Sequence, residues 1–346
     1  MIRIALVSPF TLPHYSGNSI LVERLRKGLI IKGYNVAIFN SSNHNTDKAI
    51  KFSPHIIHSF NAERTNKWMR QFKAKHKGLW VISLTGTDYL TWNNKTKPPQ
   101  YIQSDMEEAN SIIVFHENAL SILSQSLPKI KHKINIIAQG ILSTEKKPDI
   151  NSVYKKIGIS LDNRIFLMVA GLRPVKNIQF AINAFREIEN KIKNISLILI
   201  GPIIDTNEAK QILKLGKKLR CFKYLGELPP HEVREIMTVS DVFLNTSLHE
   251  GMSGAILESM AEGLPILASL IPGNMSLIKD NTNGLLFPLN DPSRLIDAVI
   301  ELTNKPYLRE KMGQAGKVMI EKHHSYIKEI NNYNRLYLEL LNKNNF

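Results

Sequence analysis

The 346-residue sequence contains a single cysteine, Cys221, and no apolar run near the roughly 18 residues that a membrane-spanning helix needs. One cysteine excludes an intramolecular disulfide and a cysteine-based zinc cluster, and it fits a reducing compartment. The amino-terminal apolar stretch is interrupted by Pro9 too early to act as a secretory signal. We therefore expect a cytoplasmic protein without a transmembrane segment.

Two patterns that would indicate particular ligands are also missing. The sequence has no Asp-x-Asp element, and its histidines lack the spacing of metal ligands, so we expect no metal site. The turn after the first predicted strand, residues 8–19, has one glycine and lacks G-x-G-x-x-G. This argues against a nicotinamide-dependent oxidoreductase.

Charge is distributed unevenly along a chain whose net charge is +15. Residues 1–150 hold 20 Lys and Arg against 10 Asp and Glu, and the basic run 67–77 places Trp68, Met69 and Phe72 at helical spacing. Such a helix can lie on an anionic membrane surface, which predicts peripheral contact at the inner face of the membrane. An ordinary helix with a buried apolar stripe and a solvated basic face has the same pattern, and we favour that interpretation.

The order of apolar runs indicates an α/β fold. Short apolar runs bounded by turn residues alternate with amphipathic stretches, which is typical of β-α-β units around parallel sheets. We predict strands at 2–7, 35–39, 56–59, 79–84, 111–115, 134–137, 165–170, 197–200, 222–225, 242–245, 266–268 and 284–287. The length fits two doubly wound, Rossmann-like domains.

Polar residues and a proline in 142–160 predict a linker between these domains. The predicted domains are 1–150 and 151–320, and a C-terminal helix follows in 321–346. Ile327, Ile330 and Tyr333 recur there at helical spacing, so this helix should bury one face.

Two cations follow the predicted strand 165–170. Arg173 and Lys176 lie in Gly171-Leu-Arg-Pro-Val-Lys-Asn177, directly before a predicted helix. The planar guanidinium of Arg can donate two hydrogen bonds to phosphate oxygens, and the Lys ammonium is a compact positive charge. The helix N-terminus adds backbone amides that can also donate to phosphate. The segment predicts a diphosphate site, although two solvated cations on an ordinary loop would look the same.

Carboxylates and glycines follow the predicted strand 242–245. Gly251 and Gly254 allow close approach of a ligand, and a helix is predicted to begin near Ser253 and to stop at Gly263. Glu250 precedes that helix and Glu258 lies in its first or second turn. Carboxylates accept hydrogen bonds from sugar hydroxyls, so two of them beside a phosphate site indicate a nucleotide-sugar ligand; helix capping and surface exposure are the alternative.

The segment from Glu250 to Glu258 resembles the E-x7-E element of retaining glycosyltransferases with the GT-B architecture, in particular family 4, and 171–177 stands where that family has its Arg/Lys donor loop. The resemblance continues through 199–202, 224–227, 240–244, 271–274 and 283–287. It implies two Rossmann-like domains facing each other across a cleft, a C-terminal helix that crosses back to the first domain, and no cofactor besides a nucleotide-sugar donor substrate.

Carried over residue by residue, the resemblance implies that Glu258 holds the ribose hydroxyls, while Arg173, Lys176 and Glu250 are catalytic candidates that hold the diphosphate and the donor sugar. Further donor contacts are implied for Gly17, Asn18, Gly171, Gly201, Leu225, Gly226, Gly251, Met252, Ser253 and Gly254. Acceptor-side positions are Thr85, Gly86, Asp88 and Asn274. Two departures stand out: Arg173 and Lys176 are three residues apart where the family has five, and Thr85 replaces a frequent histidine.

Within the family, the combination Ser-Gly-Asn, Thr-Gly-Thr-Asp, Gly-Leu-Arg-x-Val-Lys and Glu-Gly-Met-Ser is most similar to glycosyltransferase 1 domain-containing proteins, with some likeness to selenosugar synthases. We expect metal-free, retaining transfer of a hexose or N-acetylhexosamine from a nucleotide-diphosphate sugar, a UDP-sugar being favoured, to an unidentified small-molecule or glycan acceptor. The alternatives are an epimerase, a hydrolase or a selenosugar synthase on the same scaffold. A binding protein that uses its basic face on nucleic acid or anionic lipid is disfavoured by the intact Arg, Lys and Glu set.

Overall fold

The computed structural model describes residues 1–90, 98–142 and 148–344. The chain forms two compact units, the first made of Met1–Gly140 with Ser325–Phe346 and the second of Ile141–His324. The boundary therefore precedes the expected position at 150, and the expected linker contains a helix of the second unit, Ile150–Ile157. The final segment belongs to the first unit.

The first unit is built on a parallel sheet. Within the described residues its strands are β1 (Arg3–Ser8), β2 (Asn35–Asn40), β3 (Ile56–Phe60), β4 (Leu79–Ser83), β5 (Ser111–Val114) and β6 (Ile134–Ile136). Their order across the sheet is β2-β1-β3-β4-β5-β6, and β3, β4 and β5 are buried along their whole length. Continuous apolar runs are expected for parallel strands covered on both faces.

Helices cover this sheet and connect its strands. They are α1 (Gly17–Ile31), α2 (Asp47–Phe52), α3 (Ala62–Lys73), α4 (Thr87–Leu90), α5 (Gln100–Glu108) and α6 (Glu117–Ser126). Short 3₁₀ turns occur at Ser41–Asn43 and Pro128–Lys133.

The second unit repeats this design. Its strands within the described residues are β7 (Arg164–Val169), β8 (Ile195–Ile200), β9 (Phe222–Tyr224), β10 (Val242–Asn245), β11 (Ile266–Ser269) and β12 (Gly284–Phe287), in the order β12-β11-β10-β7-β8-β9. Its helices are α7 (Ile150–Ile157), α8 (Ile178–Lys191), α9 (Thr206–Gly216), α10 (Pro230–Val239), α11 (Gly254–Glu262), α12 (Pro272–Met275), α13 (Pro292–Asn304) and α14 (Pro306–His323).

These two parallel sheets confirm the predicted fold class, and each predicted strand overlaps an observed one. One pairing matters for the chemistry below, because β10 lies beside β7 with Val242 opposite Phe166 and Phe243 opposite Leu167. The carboxyl ends of parallel neighbours meet at one edge of the sheet. The loops that follow β7 and β10 are therefore adjacent in space.

The C-terminal helix, α15 (Tyr326–Lys343), packs on the first unit. Its Glu329 accepts both hydrogen bonds of the Arg24 guanidinium fork at 3.1 Å each, and the Glu329 side chain is 1% exposed. The Tyr337 hydroxyl lies 2.6 Å from Nδ1 of the buried His58, whose pKa is lowered to about 3 by burial. Ile327, which periodicity assigned to the buried face, is 69% exposed, so that assignment is wrong.

The apolar side chains of the basic run 67–77 are buried in the protein core. Trp68, Met69 and Phe72 are at most 1% exposed and pack in the core of the first unit, while Arg70 pairs with Glu108 at 2.9 Å. A buried stripe cannot insert into lipid, so the predicted basis for contact with an anionic membrane is wrong. Among the described residues, no helix combines the length and the apolar character needed to cross a bilayer.

Candidate active site

An ion pair joins the two loops at the carboxyl edge of the second sheet. Lys176 Nζ donates to Oε1 of Glu250 at 2.6 Å, and the two side chains are only 15% and 11% exposed. Lys176 ends the 3₁₀ turn Pro174–Lys176 after β7, and Glu250 lies in the loop after β10. The pairing of β7 with β10 thus brings together two residues that are 74 positions apart.

Two further donors converge on the same carboxylate oxygen. Ser247 Oγ donates to Glu250 Oε1 at 2.7 Å, and Asn245 Nδ2 donates to it at 3.2 Å. Among the described residues, no hydrogen bond reaches the other oxygen, Oε2. One oxygen of Glu250 is therefore occupied by the protein, and the other is available to a ligand.

Charge and hydrogen bonding keep Glu250 ionised. Burial by itself would raise the pKa of Glu250, but the Lys176 ammonium and the hydrogen bonds from Lys176, Ser247 and Asn245 outweigh burial and lower the pKa. An ionised carboxylate is only an acceptor, so its ligand must supply a donor such as a sugar hydroxyl. Lys176 uses one of its three N–H groups on Glu250 and retains two for another anion.

The loop that carries the cations is fixed to the loop that carries Glu250. The Thr246 hydroxyl lies 3.0 Å from each of the carbonyl oxygens of Lys176 and Asn177, and Leu248 N donates to the carbonyl of Val175 at 2.9 Å. Asn177 adopts a left-handed φ of 48°, which asparagine tolerates better than most residues. The chain can therefore turn into α8 immediately after Lys176.

Arg173 lies at the start of the same 3₁₀ turn. Its backbone is extended, with φ of −158° and ψ of 155°, and its side chain is half-buried. The structure therefore places Arg173 and Lys176 at opposite ends of a single turn.

A buried amide supports this arrangement from behind. Asn274 is fully buried; its Nδ2 lies 2.9 Å from the carbonyl oxygen of Ser269 and 3.4 Å from Oδ1 of Asn245. A Cβ on the neighbouring Gly273 would collide with the backbone carbonyl of Glu250, so only glycine allows this close approach. Asn274, predicted as an acceptor-side residue, therefore lies behind Glu250.

The predicted helix after Glu250 is present. Ser253 caps α11 by accepting a hydrogen bond from Ile256 N at 3.4 Å, and the helix ends at Gly263. Glu258 is half-buried in the second turn. The segment between Glu250 and the helix is buried and consists of Gly251, Met252 and Ser253.

Glycines line the neighbouring strand ends. Gly201 N donates to the carbonyl oxygen of Gly226 at 2.8 Å, and the Tyr224 hydroxyl donates to the carbonyl oxygen of Gly201 at 2.7 Å. Gly201 has a φ of 152°, and a Cβ there would meet the carbonyl of Ala170. The structure thereby brings the predicted donor-side positions Gly171, Gly201, Leu225 and Gly226 to the carboxyl ends of β7, β8 and β9.

In the first unit, Gly17 and Asn18 open α1. Ser16 and Ser19 form a reciprocal capping box there, with Ser19 N donating to Ser16 Oγ at 3.1 Å and Ser16 N donating to Ser19 Oγ at 2.8 Å. Gly17 is exposed, and a Cβ added at this position would approach no other part of the described chain within 4 Å.

The Thr85–Asp88 loop is organised by its aspartate. Asp88 is fully buried and accepts hydrogen bonds from the backbone amides of Thr85, Gly86 and Ala62 at 2.9, 2.9 and 3.0 Å. Burial raises the pKa of Asp88 to about 6 despite these bonds. Asp88 therefore shapes the loop, and the Thr85 hydroxyl, which accepts from Asn61 Nδ2 at 3.0 Å, is the more accessible group.

Three polar residues that support Glu250 were not predicted from the sequence. Asn245 and Ser247 donate to its carboxylate, and Ser269 Oγ donates to the carbonyl oxygen of Ser247. A usable signal existed, since the polar run Asn245-Thr-Ser247 ends an otherwise buried apolar strand. Within the described ranges, no three His, Cys, Asp or Glu side chains are grouped so as to hold a metal ion.

Two Rossmann-like units, one of which carries a nearly buried carboxylate–lysine pair at the carboxyl edge of its sheet, fit the GT-B architecture that the sequence motifs predict. Residues 149–319 match the family of glycosyl transferases group 1. The chain is 30% identical over 239 residues to glycosyltransferase 1 domain-containing protein 1 of Xenopus tropicalis, covering 68% of this chain and 69% of the relative. The chain belongs to the glycosyl transferase group 1 family and is a GT-B glycosyltransferase.

Other similarities agree with this family. An Escherichia coli UDP-Gal:alpha-D-GlcNAc-diphosphoundecaprenol alpha-1,3-galactosyltransferase is 30% identical over 296 residues, covering 83% of this chain and 69% of the relative. Sucrose-phosphate synthase from Thermosynechococcus elongatus has a similar fold, with a TM-score of 0.84, 17% identity, and coverage of 99% of this chain and 100% of that one. Anabaena HepE in complex with UDP-glucose has a TM-score of 0.81 at 14% identity, with 98% and 100% coverage.

Proposed function

We propose that this glycosyltransferase transfers a hexose or N-acetylhexosamine from a nucleotide-diphosphate sugar, with UDP as the favoured nucleotide, to a hydroxyl acceptor, with retention and without metal. The observation that carries the proposal is the Glu250–Lys176 pair, which presents a fixed acceptor oxygen and a cation side by side. A donor sugar offers hydroxyls to Glu250 Oε2, and its diphosphate offers anionic oxygens to Lys176. The UDP-glucose bound by the related Anabaena fold supports the choice of nucleotide.

In the proposed reaction the acceptor oxygen forms a bond to the anomeric carbon, while the bond from that carbon to the β-phosphate oxygen breaks. The nucleoside diphosphate leaves with the electron pair, and the acceptor proton passes to one of its phosphate oxygens. Lys176, Arg173 and the free amides of α11 would stabilise the negative charge that grows on the leaving diphosphate. Such preorganised cations and amides are the support for proposing that no metal is required.

We assign the donor to the second unit and the acceptor to the first. Glu258 would bind the ribose hydroxyls, and the nucleobase would lie near Gly201, Leu225 and Gly226. Gly17 and Asn18 of the first unit would meet the donor, and Thr85 and Gly86 the acceptor. The single cysteine supports a reducing, cytoplasmic compartment.

A thermal-shift screen over UDP, GDP, ADP, dTDP and their sugars tests the donor. A ligand that binds only the folded state stabilises it by an amount that grows with the logarithm of ligand excess over Kd. UDP and a UDP-hexose should raise the Tm of the wild type, and Glu258→Ala should reduce both shifts. Unchanged shifts in Glu258→Ala would contradict the ribose assignment.

Product analysis tests the reaction itself. NMR of the product should show the anomeric configuration of the donor, and rates should be the same with and without EDTA. Three other products would contradict glycosyl transfer. An epimerised nucleotide sugar would indicate an epimerase, and free sugar as the main product a hydrolase. A seleno-glycoside formed only with selenophosphate would indicate a selenosugar synthase.

A further inference from the structure

A cavity of about 660 Å³ lies in the first unit, and Ser19 of the α1 capping box is one of the residues that line it. It opens where β1 and β2 end and is bordered by the loop after β1, one face of α1 and the segment that leads into α2. Small-molecule sites have volumes of about 300–1,000 Å³ and in doubly wound folds lie beside the carboxyl ends of the strands. Both criteria are met here.

The side-chain amides of Asn40, Asn43 and Asn45 are the main hydrogen-bonding groups that line this cavity. Asn40 is held in place, since its Oδ1 accepts from Ser42 N at 2.8 Å, and Oδ1 of Asn45 accepts from Asp47 N at 2.9 Å. Nδ2 of Asn45 and the whole carboxamide of Asn43 make no hydrogen bond within the described parts of the chain. An amide both donates and accepts, as a sugar hydroxyl does, so these groups are matched to a polyhydroxylated ligand.

The two charged residues that line the cavity, Glu23 and Lys48, have opposite charges. The carboxylate of Glu23 is bound by both arms of the Arg26 guanidinium, at 2.6 and 2.9 Å. Lys48 is exposed and has no ion-pair partner among the described residues. A single solvated cation beside a neutralised carboxylate does not require an ionic ligand.

Two aromatic rings complete the lining. The Arg64 guanidinium lies over the ring of Phe10, 5.5 Å from its centroid, and Phe39 stacks on Trp68 with a centroid separation of 6.3 Å. Both rings are thereby fixed while remaining half-buried in the cavity wall. Fixed rings beside amides offer a pyranose an apolar surface for its C–H groups and partners for its hydroxyls.

We infer that this cavity binds the neutral saccharide part of the acceptor, with room for one or two pyranose rings. This inference rests on the proposed function, because a glycosyltransferase needs a second substrate besides the nucleotide sugar. The acceptor is thereby assigned a chemical class, a glycoside with free hydroxyls.

Substitutions at Asn43 test the inference with little risk to folding, because this side chain is exposed and engages no partner among the described residues. Asn43→Leu should raise the KM for the acceptor glycoside roughly three- to tenfold, the loss expected for one or two hydrogen bonds. Asn43→Gln should restore most of the affinity, and Asn43→Trp, which fills the cavity, should weaken it further. Asn304→Leu, an exposed asparagine in the second unit, is the matched control and should leave the KM unchanged.

Binding should be measured by saturation-transfer NMR with p-nitrophenyl glucosides, galactosides and N-acetylglucosaminides in the presence of UDP, next to steady-state transfer assays. An acceptor KM that is the same in wild type, Asn43→Leu and Asn43→Trp would overturn the cavity assignment while the transferase activity stands. A loss confined to Lys48→Leu would identify an anionic ligand and overturn the neutral-saccharide assignment. Glycoside binding that depends on Asn43 without any transfer would retain the cavity and reject the proposed function.

Discussion

Oε1 of Glu250 lies 2.6 Å from Nζ of Lys176, and the same oxygen accepts hydrogen bonds from Ser247 and Asn245. Because three donors hold Oε1, the direction of the second carboxylate oxygen, Oε2, is fixed as well. Without a ligand, Glu250 also supplies the negative charge that the buried Lys176 requires. A diphosphate entering this site would share or replace that partner.

Replacing Glu250 by glutamine separates the two roles of this carboxylate. Glu250→Gln keeps the shape but removes the charge, so turnover should fall by roughly a hundredfold, comparable to the loss of one preorganised polar group in an active site. UDP should bind as tightly as to wild type, or more tightly, because Lys176 no longer has a competing anion. Calorimetric titration with UDP and kcat measurements check both statements.

The control for this experiment is Glu310→Gln, a change at an exposed position of α14, which should leave kcat and UDP affinity unaltered. A parallel loss of UDP affinity and turnover in Glu250→Gln would mean that Glu250 merely maintains the loop.

Ser247→Ala should shift the acid limb of the pH–rate profile. The pKa of Glu250 is lowered below its ordinary value, so the ionised form persists to a lower pH than in an exposed glutamate. Removing the Ser247 hydroxyl removes a hydrogen bond that favours the carboxylate, so the acid limb of kcat/KM should move to higher pH. Ser240→Ala removes a hydroxyl that donates to the Ile236 carbonyl, and its profile should coincide with that of wild type. Equal profiles for all three proteins would show that Glu250 does not set the acid limb.

Asp88 should make the protein less stable as the pH rises from 4 to 6. Burial raises the pKa of Asp88 to about 6, above its unfolded value, so the folded state holds a proton that the unfolded state releases. The resulting stabilisation is complete below the unfolded pKa and is lost as the pH rises through the folded pKa; it is on the order of 3 kcal/mol. Asp88→Asn cannot titrate and should lack this component.

Urea unfolding at several pH values gives the free energy of unfolding of wild type and of Asp88→Asn. In the difference between the two, the contributions of the other titrating groups cancel. If the two free energies of unfolding run parallel between pH 4 and 6, Asp88 is ionised in the folded protein throughout that range.

The Arg24–Glu329 pair should contribute strongly to the attachment of α15. Glu329→Gln removes the buried carboxylate charge that binds both arms of the Arg24 guanidinium, which should cost about 3–5 kcal/mol. The double variant Arg24→Met/Glu329→Leu should recover most of this loss, since an apolar pair of similar size can replace a buried ion pair. Thermal and urea unfolding check the series, with the exposed Arg294→Met as a control expected to lie within about 0.5 kcal/mol of wild type. Additive losses in the double variant would contradict a coupled pair.

Local sequence patterns determined much of the fold. Apolar runs of three to six residues between turn residues located the strands, because a parallel strand buried on both faces must be apolar along its length. The start of α11 was also readable, since Ser253 is a preferred capping residue before a helical run. Arg173, Lys176 and Glu250 could be proposed as site residues from their types and from their positions after strands.

Tertiary structure decided which surfaces and partners those residues have. Trp68, Met69 and Phe72 have the helical spacing of a membrane-binding face, yet packing against the sheet buries them; helical periodicity cannot distinguish lipid from a protein core. Periodicity likewise placed Ile327 on the buried face of α15, but the position of that helix on the first unit leaves it exposed.

The candidate site divides in the same way. Strand and turn signals are local, so the sequence was enough to predict that the loop with Arg173 and Lys176 follows one strand and that the loop with Glu250 follows another. Only the strand order, with β10 beside β7, brought Lys176 to Glu250 across 74 positions. Asn245 and Ser247 reach the same carboxylate oxygen through the course of the loop after β10, which the strand pattern does not reveal. The burial of Asp88 and Asn274, which makes them supports for their loops, was likewise decided by tertiary packing, since burial depends on which distant segments cover a side chain.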